Sequence, residues 1–404
     1  DVTRSEEERN ALLVRSDTIG LLDNTKTDLL TAGVQRVSKK HNLNPEQTEA
    51  VSNAVKYSLS LIQGPPGTGK TRTVSAIADV YYGEGESEYV SETALISASS
   101  NAACNLLHDA LWRWQIPAWR FLSEKEENNS VGFIHSRRET VLSHCLPDAA
   151  RQKLFAEGYT LSSTFNKRLN AKCLDVMRES NKAVICTTSM SARKPALSSM
   201  RYKNVLIDEA AQSTEPDVCQ AVVRCENALA LIGDHKQLPA TVKSEWNRRQ
   251  GLEKSMFQRL FELHGLPVMV LSCQYRMHPS IATYPSAQFY SDGLLSMTHW
   301  ASAPRGYEFP SEAPVCFEHV QGDEEKDGTS FLNHCEAKRI VDIVRGFHDA
   351  GEISSVSIGI LAPYKGQVVY ITKLLREARV KVGFVLSVDK AQGSEIDVIL
   401  YSAV

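Results

Sequence analysis

The run Gly64-Pro65-Pro66-Gly67-Thr68-Gly69-Lys70-Thr71 constrains this chain more than any other stretch. It fits the phosphate-loop pattern in full, with a strand-like stretch before it and a helix-like one after it. The glycines let the backbone curl so that successive N–H groups face a phosphate, and the dipole of the following helix adds positive potential there. Gly64, Pro65, Gly67, Thr68 and Gly69 are the candidate cradle. Lys70 is placed to reach the β- and γ-phosphates of a nucleotide, and Thr71 to hold Mg²⁺ through its hydroxyl. A chance Gly-rich turn is the bland alternative, and the flanking elements weigh against it.

Short aliphatic runs alternate with amphipathic helical patterns along the rest of the chain. Strands are expected at 59–63, 93–98, 183–187, 204–208, 228–232, 268–272, 315–319, 356–362, 382–388 and 397–402. Between them, Ala337, Ile340, Val341, Val344 and Phe347 fall on one helical face, and Val369, Ile371, Leu374 and Leu375 do much the same. Continuous apolar strands alternating with helices imply α/β domains with parallel sheets covered on both faces. At 404 residues the chain is long enough for two or three domains. The expected division is a polar, helical 1–42, a first domain over 43–250 with a helical insertion at 124–181, and a second over 251–404. The acidic stretch 322–328 looks like an exposed loop.

Composition narrows the setting. A net charge of −3 gives no bulk electrostatic signature of a nucleic-acid binder, so any such surface must be local. No apolar run is long enough for a bilayer. The nine cysteines show no C-x-x-C pair or metal spacing, which favours reduced thiols in cytoplasm or nucleus. The chain opens on Asp1 and is expected to be part of a larger protein.

Two further stretches fit the phosphate loop. Val205-Leu206-Ile207-Asp208-Glu209 is an aliphatic strand ending in two acids, where sheet ligands bind. Asp208 is the candidate metal ligand and Glu209 the candidate base for an attacking water. Leu231-Ile232-Gly233-Asp234-His235-Lys236-Gln237 is another strand running into polar residues, with Gln237 placed to sense the γ-phosphate and His235 expected as a loop residue. Trp112, Trp114, Trp119 and Arg120 suit either a stacking platform or, preferably, a packed core. Lys243, Arg248, Arg249 and Lys254 suit either phosphate contacts or a solvated linker.

The order of these motifs resembles the up-frameshift-like group of superfamily 1B helicases. Leu43-Asn44-Pro45-Glu46-Gln47 looks like the group's Q motif, Ser97-Ala98-Ser99-Ser100-Asn101 like motif Ia, and Val184-Ile185-Cys186-Thr187-Thr188 like Ic. Gln274-Tyr275-Arg276-Met277-His278-Pro279 is highly characteristic of it. Leu361-Ala362-Pro363-Tyr364-Lys365-Gly366-Gln367 resembles motif IV, and the stretch from Ser387 to Asp397 motif V.

The resemblance implies two RecA-like domains with ATP and Mg²⁺ between them, and a monomer moving 5′→3′ on single-stranded RNA or DNA. It implies that Gln47 reads the adenine edge, that Tyr275 stacks near the base, and that Arg276 acts from the second domain as an arginine finger. Gly393 and Glu395 would approach the nucleotide. Asn101, Thr187, Thr188, Tyr364 and Ser387 would line the nucleic-acid track, through groups that suit backbone contacts and base stacking. Motif VI, with its further arginine, would follow residue 404, and Ser394 stands where the group commonly has arginine. Two other activities stay open on the residues alone: an ATP-gated nucleic-acid clamp with little unwinding, and an ATPase that remodels proteins.

Overall fold

The computed structural model describes residues 24–83, 93–122, 184–198, 200–298, 306–310, 313–351 and 353–404, with scattered positions between 149 and 176. The expected insertion at 124–181 and the first 23 residues lie almost wholly outside the described residues. The chain forms two compact units, Asp1–Arg276 and Met277–Val404.

The first unit is built on seven parallel strands: β1 (Leu59–Gln63), β2 (Ala94–Ala98), β3 (Ala118–Arg120), β4 (Val184–Thr188), β5 (Tyr202–Asp208), β6 (Cys225–Gly233) and β7 (Val268–Val270). Their order is β3-β4-β2-β5-β6-β1-β7. Successive strand residues point to opposite faces, and the two faces have separate cores. Ile62, Ile96, Cys186, Leu206 and Ile232 pack under helices α1 (Asn24–Lys40), α2 (Pro45–Lys56), α3 (Lys70–Tyr82) and α4 (Asn101–Arg113). Their chain neighbours Leu61, Leu95, Ile185, Val205 and Leu231 pack on the other side, with Val218 of α5 (Glu215–Val222) and Phe257 of α6 (Met256–Glu262). This is why those strands carry no polar alternation.

The first unit extends past the expected boundary at 250 to Arg276, because β7 pairs with β1 from Leu61↔Val268 to Gln63↔Val270. The second unit carries a parallel sheet with Ile358–Ala362 at its centre, flanked by Phe384–Ser387 and Val398–Tyr401. Ala337, Ile340, Val341, Val344 and Phe347 of the helix His334–Ala350 cover it together with Ile371 and Leu375, whereas Val369 is exposed. Two expectations need correction. Among the described residues, 315–319 pair with no strand, and the acidic stretch contributes Glu324–Asp327, exposed as expected, to an antiparallel hairpin with Ser330–Asn333. Among the described residues no helix is long and apolar enough to cross a membrane.

One buried acid fastens α1 to α3. Asp79 accepts from His41 Nε2 at 2.7 Å and Arg36 Nη1 at 3.3 Å, with Lys40 Nζ at 3.1 Å. Burial alone would raise its pKa, but the His41 hydrogen bond and the Lys40 and Arg36 charges outweigh that and hold it below its ordinary value. A depressed folded pKa gives stability that is present above the unfolded value of 3.8 and is lost as pH falls through the folded value. Asp79→Ala removes the carboxylate shared by His41, Arg36 and Lys40. It should cost about 3–5 kcal/mol near neutral pH, with a smaller deficit in acid, read by equilibrium denaturation.

Candidate functional site

The pairing of β1 with β6 runs in register from Leu59↔Leu229 to Gln63↔Gly233, so the loops leaving both strands start side by side. Gly64 N–H donates to the Gly233 carbonyl at 3.0 Å, which carries the pairing into the phosphate loop. Within that loop Lys70 Nζ donates to Gly64 O at 2.7 Å, and Thr68 Oγ1 to Pro65 O at 2.8 Å. Gln47, in the Asn44-capped first turn of α2, donates through Nε2 to Thr68 O at 2.9 Å. Gln47 thus braces the loop in this structure.

Asp208 ends β5, the neighbour of β6, and Glu209 follows it. Lys70 Nζ lies 3.9 Å from Glu209 Oε1, so the lysine and the acid face one space. Glu209 adopts left-handed backbone at φ 52°, a conformation that costs a non-glycine residue about 1–3 kcal/mol. Its side chain is steadied by Gln212 Nε2 at 2.6 Å. The turn after it packs so tightly on β6 that a Cβ at Gly233 would sit 2.8 Å from Ala211 N. Burial, and then the Glu209 carboxylate, push Asp208 up to about 7, against the pull of Lys70 and of the Glu209 N–H. A buried acid under that pressure gains most from a cation, and the Thr71 hydroxyl and Asp208 carboxylate are the hard oxygen donors that suit Mg²⁺.

The loop after β6 is organised by Asp234, which sequence reasoning passed over. Its carboxylate accepts from Gln63 Nε2 at 3.0 Å, Lys236 N at 3.1 Å and Gln237 Nε2 at 2.8 Å. Gln237 is therefore fixed relative to β1. His235 packs its ring 5.2 Å from Phe261 and 6.0 Å from Phe257, which anchors the loop, and burial lowers its pKa.

Arg276 is the last residue of the first compact unit. Tyr275 N donates to Gly67 O at 2.8 Å, and Gln274, fully buried, accepts from Arg276 N at 3.0 Å. Glu46 of α2 holds the preceding Ser272 and Cys273 N–H groups at 2.7 and 3.3 Å. Asn44 Nδ2 donates to Tyr275 Oη at 2.9 Å. Gly67 has φ +76°, and a Cβ there would lie 2.6 Å from Arg276 Cβ.

The residues expected on a nucleic-acid track divide. Asn101 opens α4, half-exposed. Thr187 is buried with its hydroxyl turned to Phe121 O at 3.3 Å, and Thr188 caps the following turn at Ser191 N. Both hydroxyls are thus occupied inside the first unit. In the second unit Tyr364 precedes the helix Lys365–Glu377 with its ring 5.1 Å from Phe331, and Ser387 precedes the short helix Val388–Ala391. Gly393 and Glu395 are exposed in the loop that follows. Trp119 and Arg120 are buried, as the core reading required. Arg248 and Arg249 pair with Glu245, and Lys254 with Glu262, which favours a solvated surface.

Two AAA-domain family models match this chain, one at residues 42–182 and 148–245, the other at 252–404. The Regulator of nonsense transcripts 1 homolog of Neurospora crassa is 34% identical over 379 residues, covering 90% of this chain and 34% of its own length. The ATP-dependent helicase upf1 of Schizosaccharomyces pombe is 33% identical over 382 residues, 90% of this chain and 41% of its own. The chain thus spans about a third of the curated relatives it matches. A solved PRRSV helicase aligns over 89% of this chain and 48% of its own at a TM-score of 0.40 and 14% identity, too loosely to place any residue. Gly67→Ala should cost about 1–3 kcal/mol in a denaturant melt, because it adds backbone strain and a clash with Arg276.

Proposed function

The chain belongs to the AAA-domain family, within the up-frameshift-like group of superfamily 1B helicases, and on that premise we propose that it is an ATP-driven motor moving along single-stranded nucleic acid. One observation carries the reading: Lys70 and Glu209 face one space at 3.9 Å beside the buried Asp208, on a complete phosphate loop.

Lys70 holds the β- and γ-phosphates of ATP, and the loop N–H groups cradle them. Thr71 and Asp208 would hold Mg²⁺, which would supply neutralisation of the phosphate charge. Glu209 takes the proton of the attacking water, and its backbone geometry and Gln212 fix where that carboxylate points. Gln237, tied through Asp234 to Gln63, reports the state of the γ-phosphate to the sheet. Gln47 reads the adenine edge and Tyr275 stacks near the base. Arg276 forks onto phosphate oxygens, a role that suits an always-charged planar guanidinium. Gly393 and Glu395 are the second unit's candidate nucleotide contacts, and Asn101, Tyr364 and Ser387 are the candidate contacts to the strand, along which movement is 5′→3′.

Glu209→Gln should bind a fluorescent ATP analogue normally yet lose roughly 10²–10⁴ in turnover. Wild-type turnover in that variant would remove Glu209 from its assigned role. ATP hydrolysis should rise with single-stranded RNA or DNA and not without it. Turnover indifferent to both polymers would remove the motor reading, and a strand-displacement assay separates unwinding from clamping.

A further inference from the structure

Among the described residues, Arg120 is the largest fully buried side chain of the first unit, and it is a cation. Its guanidinium donates to Asn105 Oδ1 at 2.8 Å through Nε, and to Phe121 O at 2.7 Å and Cys186 O at 3.3 Å through Nη1. Through Nη2 it donates to Asn101 Oδ1 at 2.9 Å. Among the described residues no carboxylate lies within ion-pair distance of it. A buried charge is normally paired with its opposite, because neutral acceptors return only part of the lost hydration. Packing alone would be met at lower cost by an apolar side chain at this position.

The neutral partners matter for what they leave free. A guanidinium has five donors and no acceptor, so an amide facing it must present its oxygen. Arg120 thereby fixes the Asn101 carboxamide in one of its two orientations, with the NH₂ group directed away. That nitrogen has no partner among the described residues, and Asn101 is half-exposed at the start of α4. An outward amide donor backed by a buried positive charge suits an anionic oxygen. Through Cys186 O the same guanidinium also braces the middle of β4, the second stretch expected near the strand.

We infer that Arg120 is a positioning residue for nucleic-acid binding: it holds the Asn101 amide as a donor to a phosphodiester oxygen of the bound single strand. This rests on the motor reading above. The hydrogen bonds are to the sugar-phosphate backbone, so the contact is indifferent to base sequence.

The test uses the full chain with fluorescein-labelled oligouridylate and oligothymidylate, a fluorescent ATP analogue, and thermal melting. Asn101→Asp keeps an oxygen toward Arg120 and replaces the outward NH₂ with an anionic oxygen. Its melting temperature should hold or rise, because Arg120 gains a carboxylate, while oligonucleotide affinity falls about tenfold. Arg120→Lys cannot fork onto both amides, and should lose about tenfold in oligonucleotide affinity with ATP-analogue affinity intact. In an Asn101→Ala background, Arg120→Lys should cause no further loss, which a merely structural role would not produce. Asn101→Asp binding like the wild type, or Arg120→Lys losing affinity equally in both backgrounds, overturns the inference while the motor reading stands. A wild-type chain that binds neither oligonucleotide removes the motor reading and the inference with it.

Discussion

The parallel pairing of β1 with β6, closing at Gln63 against Gly233 and continuing as the Gly64 N–H to Gly233 carbonyl bond, is the constraint on which the site depends. It brings the phosphate loop beside the loop that carries Gln237, and β5 next to β6 adds the two acids. Each strand is held by apolar burial on both faces, and a slip of one residue would exchange the two cores. Site geometry is thus enforced by aliphatic residues that have no chemistry of their own.

Around that frame, the polar groups sit in conformations they would not choose alone. Glu209 has left-handed backbone, and Asp208 is an acid pushed toward neutrality by burial and by its neighbour. Both costs fall where the sheet is most strongly over-determined. Such local destabilisation is characteristic of sites whose partner charge arrives with a ligand.

Much of this was legible in the sequence. The strands bearing Ile62, Leu206 and Ile232 were visible as uninterrupted apolar runs, and the loop residues through their glycines and paired acids. What escaped has a common physical reason: it depends on which distant groups meet. Residues 315–319 carry a strand's composition, yet strand formation needs a partner that their own pattern cannot name. β7 was recognised as a strand, but its pairing with β1 placed it, and Arg276 after it, in the first unit. The Thr187 hydroxyl faces Phe121 O, a long-range partner that its own segment does not name. Asp234 and Asp79 resemble any other aspartate in sequence, and gain their roles from three donors each, supplied from other segments or from the local turn.

The main-chain bond from Tyr275 to Gly67 has a consequence for the phosphate loop. It ties the phosphate loop to the last residues of the first unit, and the covalent chain passes from there directly into Met277. Glu46 clamps the same segment one step upstream. The phosphate loop is therefore fixed, main chain to main chain, against the segment that leads into Met277. Because this tether runs between main-chain atoms, it does not depend on the identity of the Tyr275 side chain.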